Sequence, residues 1–164
     1  MRGRLGATLV APAVSRYTWK PDRGTTPAVA GAVMHRLAWV VQVGLGIYFV
    51  AIGLMHFSVP EGLPDQMAWM YDLPTWLHVA SGTAEILGGL GLVLPAATRV
   101  RPHLTPLAAA GLAIVMVLAA LWHVPRGEIP NVAVTLVLAV VLTWLAWVRW
   151  SSRPIAPRQR HNVG

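Results

Sequence analysis

Residues 75–94 read TWLHVASGTAEILGGLGLVL. The run is about 20 residues long, so as a helix it covers about 30 Å, the thickness of one hydrocarbon core. Its one acid, Glu85, falls near the midpoint. An ionised carboxylate at that depth costs about 2.5–3.5 kcal/mol on insertion scales. The residue therefore needs a partner or must keep its proton, and its face must turn away from lipid.

Three further apolar runs, 37–56, 104–123 and 131–150, have the same length. Together they predict an all-α fold, a four-helix transmembrane bundle. A closed β-barrel would need ~10-residue segments of alternating polarity, whereas these runs are continuous. A mean hydropathy of +0.57 and 12% charged residues fit a small integral membrane protein. The expected organisation is a basic, disordered segment over 1–32, a membrane domain over 33–150 with a loop at 57–74, and a basic tail over 151–164. Residues 5–14 are short for a signal sequence and are interrupted by Gly6 and Pro12, so no cleavage is expected.

The charges set an orientation. Every Lys and Arg except Arg126 lies before the first run, between the second and third, or at the C-terminal end. The positive-inside rule then places both termini in the cytoplasm. Glu61, Asp65 and Asp72 fall in the loop assigned to the outside. The protein is expected to be multi-pass in a bacterial plasma membrane. The net charge of +7 flanks apolar spans, which points to lipid headgroups and not to nucleic acid. Trp39, Trp76, Trp122, Trp147 and Trp150 fall at span ends, where an interfacial belt is expected.

The chain has no cysteine. Disulfides, thiolate nucleophiles, iron–sulfur ligation by the chain and quinone reduction by a membrane dithiol are excluded. Any redox work needs a cofactor or a partner.

Helical spacing groups the polar residues. His78, Ser81, Gly82 and Glu85 share one face of the second span. Gln42, Phe49 and His56 repeat at seven along the first, with Gly46 and Gly53 beside them. Gly82, Gly88 and Gly89 allow close helix approach and are assigned to packing. His123, Asn131 and Thr135 complete a polar cluster in the outer half. The candidate ligand-binding residues are Glu85, His78, His56, His123, Ser81 and Gln42. Histidine beside a glutamate can hydrogen-bond quinone carbonyls or relay their protons. The same groups also suit a purely structural clamp between helices. No His-x-x-x-His spacing supports a metal or haem site, so neither is expected. The loop, punctuated by Pro60, Pro64 and Pro74, can open a short helix at Asp65, either capping the bundle or lying in the interface.

Two blocks carry a family resemblance: AIGLMHFSVP at 51–60 and SGTAEILGGLGLVLPAATR at 81–99. They resemble the DoxX-like family of small four-helix membrane proteins, with weaker similarity over about 37–150. The resemblance implies association with quinone-linked sulfur oxidation or with membrane assemblies of redox and detoxifying enzymes. It matches Glu85 to the family's intramembrane glutamate and His56 to a polar position of the first helix. The sequence departs from a related subgroup at Trp122-His123-Val124-Pro125, where that subgroup has a Pro-Ala-Asn type sequence. The leading expectation is an accessory subunit of a membrane redox system with a quinone or small-ligand pocket. A non-catalytic scaffold recruiting a soluble enzyme, and a small proton-coupled carrier, are the alternatives. A membrane or cytoplasmic redox enzyme and a second copy of the chain are the candidate partners.

Overall fold

The computed structural model describes residues 26–152 and 154–158. Helix α1 spans Thr26–Met55, α2 Trp69–Asp72, α3 Thr75–Thr98, α4 Leu104–His123 and α5 Ile129–Trp147. The described residues contain no strand. Four of the helices, α1, α3, α4 and α5, are long and apolar enough to cross a membrane. The fold is the expected all-α bundle of four candidate spans.

Some boundaries differ from the sequence expectation. Helix α1 begins at Thr26 instead of 37, because the stretch before Leu37 is rich in Ala and Val and Gly31 alone weakens it after Pro27. Residues 26–32 are therefore helical, not part of a disordered tail. The disorder and uncleaved N-terminus expected for 1–25 lie outside the described residues. Helix α3 continues through Pro95 to Thr98. Proline so close to the end forfeits a single backbone bond, and Arg99 then stops the helix in the left-handed conformation (φ 58°). Helix α5 passes into a π-turn over Val148–Ser152.

Helix α3 packs against α1 on one side and α4 on the other, and α5 packs on α4. Helices α1 and α5 barely touch. The α1–α3 contact is built from glycine. A Cβ on Gly89 would stand 2.7 Å from the Gly46 carbonyl oxygen, and one on Gly82 2.8 Å from that of Gly53. Both pairs are seven residues apart, so one antiparallel seam of bare backbone joins the helices. Gly88 faces the other way, where its missing side chain makes room for Leu112 of α4. Below this level the core is closed by Phe49, Leu92, Leu112, Leu142 and Leu145.

The bundle has two unlike ends. The loop end carries residues 56–74 and 124–128, and the tail end carries 99–103, 148–152 and 154–158. The loop caps its end instead of lying in an interface. Met70 is fully buried, and the Trp69 ring sits between those of His56 (5.9 Å) and His123 (5.3 Å). Tyr71 pins the return of the chain, its hydroxyl donating to the Pro60 carbonyl (2.9 Å) and accepting from Leu63 N (3.0 Å).

Candidate functional site

Because glycine draws α1 onto α3 while α1 and α5 stay apart, space remains between the α1–α3 pair and the α4–α5 pair at the loop end. A cavity of about 790 Å³ fills it. Its walls are mainly apolar, among them Ile52, Leu77, Ala84, Met116 and Leu138. This matches the usual volume and character of small-molecule sites, about 300–1,000 Å³ and mostly apolar. Trp69 and Met67 of the loop roof it.

Glu85 lines this cavity at 5% exposure, turned inward from lipid. Its Oε2 lies 3.5 Å from His56 Nε2. The pair is in electrostatic contact, yet the geometry falls short of a hydrogen bond, and Oε2 has no hydrogen-bond partner among the described residues. His56, also 5% exposed, lines the wall beside it. On its far side His56 Nδ1 is 3.0 Å from His78 Nδ1, and His78 Nε2 is 3.0 Å from the Met70 carbonyl oxygen. His78 thus stands behind His56, off the cavity wall. The glycine seam places this pair: a Cβ on Gly82 would meet His56 Cβ at 2.8 Å.

On the opposite wall His123, 2% exposed, pairs its Nδ1 with Glu128 Oε2 at 2.6 Å. Asn131 Nδ2 donates to the same oxygen at 3.1 Å. Glu128 lies in the connection before α5. Burial works against its charge, but hydrogen bonds from Asn131 and His123 and the neighbouring His123 and Arg126 outweigh that, so its carboxyl sits below the ordinary carboxylate range. Ser81 and Thr135 line the cavity between the two walls, and Thr135 Oγ1 returns its hydrogen to its own helix at Asn131 O (2.8 Å).

Trp122, assigned from sequence to an interfacial belt, is half-buried at the cavity wall. The Arg126 guanidinium covers its ring at 3.7 Å. Its indole Nε1 is buried with no acceptor among the described residues. A donor and a carboxyl oxygen are therefore both left open on residues of one cavity.

A DoxX-like family model matches residues 40–146. The chain belongs to the DoxX-like family. The matched stretch of this DoxX-like protein runs from α1 into α5 and contains Gln42, His56, Glu85 and His123. Neither a curated protein nor a solved structure matches the chain. The family and the four long apolar helices make it an integral membrane protein.

Gln42 is not brought to the cavity. It shares a helix face with His56 but lies about 21 Å along the axis from it. It is buried near the tail end, where its Nε2 donates to the Leu92 carbonyl (2.7 Å) and its Oε1 accepts from Arg149 Nε (2.7 Å). Arg149 is 2% exposed, with Trp39 at 5.2 Å from its guanidinium carbon. Sequence reading treats Arg149 as a flanking charge. Its spacing from Leu142 and Leu145 was the available signal, since three and four residues continue one buried face. Glu128 went unremarked for a different reason: its partner His123 belongs to the preceding helix. Among the described residues no three His, Asp or Glu side chains are placed to share a metal ion.

Proposed function

We propose that this protein is an accessory subunit of a membrane redox system that holds a quinone-class molecule in the loop-end cavity. One observation carries the reading. Two polar atoms, Glu85 Oε2 and Trp122 Nε1, are left without protein partners on residues lining an otherwise apolar space. Buried polar groups are nearly always satisfied, so such a pair calls for a ligand with oxygens to match. A quinone carbonyl accepts from an indole N–H, and a quinol hydroxyl donates to a carboxyl oxygen. Its ring and isoprenoid tail suit apolar walls. Ser81 and His123 lie within the same cavity and complete the set of polar contacts.

The loop end faces the outside of a bacterial plasma membrane in this proposal, and both termini lie in the cytoplasm. The support is the charge asymmetry, because Arg99, Arg101 and Arg158 are exposed at the tail end. The tail crosses that loop, with Arg158 N donating to the Arg99 carbonyl at 3.1 Å. This basic surface also favours a second reading, a scaffold that docks an acidic soluble redox enzyme there.

Titration of the purified protein with a short-chain ubiquinone analogue tests the pocket, since bound quinone quenches the nearby Trp69 and Trp122. Saturable quenching is expected, weakened about tenfold or more by Glu85→Leu, the effect of removing a buried hydrogen-bond partner worth 1–3 kcal/mol. Absence of saturation in the wild type would refute the pocket.

A further inference from the structure

With both rings neutral, the hydrogens of His56 and His78, which run from the cavity wall to the rim, follow from a single atom. The Met70 carbonyl oxygen can only accept, so His78 Nε2, 3.0 Å away, carries a hydrogen. A neutral imidazole has one N–H, which leaves His78 Nδ1 bare. His56 Nδ1, 3.0 Å from it, must therefore donate. That uses the one hydrogen of His56 and leaves its Nε2 bare as well. The bare nitrogen faces Glu85 Oε2 at 3.5 Å. An ionised carboxylate and a bare ring nitrogen would set two lone pairs against each other. A carboxylic acid at Glu85 removes that repulsion and leaves no net charge in a site where charge is costly; its hydrogen crosses to His56 when the two side chains close in from 3.5 Å.

We propose that Glu85, His56 and His78 form a proton path that leads from the cavity to the loop-end surface. Its use on a ligand rests on the quinone-pocket reading; the path itself does not. The polarity of the chain suits outward movement. Glu85 passes its proton to His56 Nε2. His56 passes its Nδ1 hydrogen to His78 Nδ1. His78, half-buried at the rim, gives up its Nε2 hydrogen to water beside the Met70 carbonyl. One proton leaves, Glu85 becomes a carboxylate, and both rings end neutral with their hydrogens on the opposite nitrogens; His78 Nε2 then faces the Met70 carbonyl without a hydrogen, so the rings must turn back before a second proton follows. Nothing is oxidised or reduced. A quinol hydroxyl at Glu85 would then return the proton to the carboxylate. His56 and His78 act through Glu85 and are relay residues.

Tyr48 and His123 are the other ionisable groups that line the cavity. Trp69 stands between the rings of His56 and His123. His123 is committed to Glu128 on the other wall.

The full-length protein in lipid nanodiscs, without added ligand, supplies the test. Infrared spectroscopy should show a carboxylic C=O band in the wild type that Glu85→Gln removes. On transfer to D2O that band should shift rapidly in the wild type and about tenfold or more slowly in His78→Gln, the loss typical for removal of a proton-transfer group. Glutamine keeps both hydrogen bonds, since its amide donates to Met70 O and its oxygen accepts from His56, but it cannot pass a proton. A merely structural His78 would leave the exchange rate unchanged. His56→Phe should slow exchange equally. Absence of the band in the wild type, or unchanged exchange in both variants, overturns the path. Quinone titration of the same samples separates the two proposals. Binding with unchanged exchange rejects the path alone, and slowed exchange without binding rejects the pocket alone.

Discussion

The two ends of the bundle use the same helices to opposite effect. At the tail end, Gly88 and Gly91 of α3 admit Leu112 and Ala108 of α4, and the space closes. Two of its buried polar groups bond to each other, Arg149 Nε to Gln42 and Gln42 to the Leu92 carbonyl, while Arg149 Nη1 and Nη2 have no acceptor among the described residues. At the loop end, glycine joins only α1 to α3, while bulky Leu77 of α3 and Trp122 of α4 border the gap. There a cavity remains, and Glu85 and Trp122 keep unpartnered atoms. Where the small residues lie decides where the helices close and where a cavity stays open beside Glu85 and Trp122.

The largest expected effect comes from the glycine seam. Gly89→Ala should destabilise the protein by about 1–3 kcal/mol, because the new Cβ meets backbone and not a flexible side chain. Gly111→Ala, where nothing lies within 4 Å, should change stability by less than about 0.5 kcal/mol. Thermal unfolding in detergent compares the two.

The tail-end seam should show strong coupling. Arg149→Met leaves the Gln42 oxygen without its donor and should cost about 1–3 kcal/mol. Adding Gln42→Leu should recover most of that loss, as apolar replacement of a buried polar pair often does. A double-mutant cycle gives the coupling, and additive losses would show that the two residues act independently.

Trp122→Phe sharpens the contrast from the other end. It removes an N–H that no described acceptor uses, so stability should hold while quinone-analogue affinity falls about tenfold. The smallest effect should come from Glu128. Its folded carboxyl lies below the ordinary value of 4.5, so its contribution to stability is present above that pH. It is lost as pH falls through the lower folded value. An acid titration of stability should be shallower in Glu128→Gln in that window.

The membrane spans were legible because each is a continuous apolar run of membrane length. Faces were legible too: the seven-residue repeats put Gln42, Phe49 and His56 together, and Gly82 and Gly89 together, and all five are buried. Depth was harder to read. Periodicity assigns a face but not a partner, so it groups Gln42 with a cluster two helical heptads away. The loop's return was also invisible, since Met70 meets His78 only after the chain folds back over the bundle. Arg149 looks like a flanking charge because tryptophan and arginine at a span end read the same whether they turn outward or into the seam.

Mass spectrometry of small molecules extracted from the purified wild-type protein and from Glu85→Leu bears most directly on the sheltered carboxyl. A quinone-class molecule should be retained near one per protein by the wild type and lost from the variant. Phospholipid alone, in equal amount from both proteins, would contradict it.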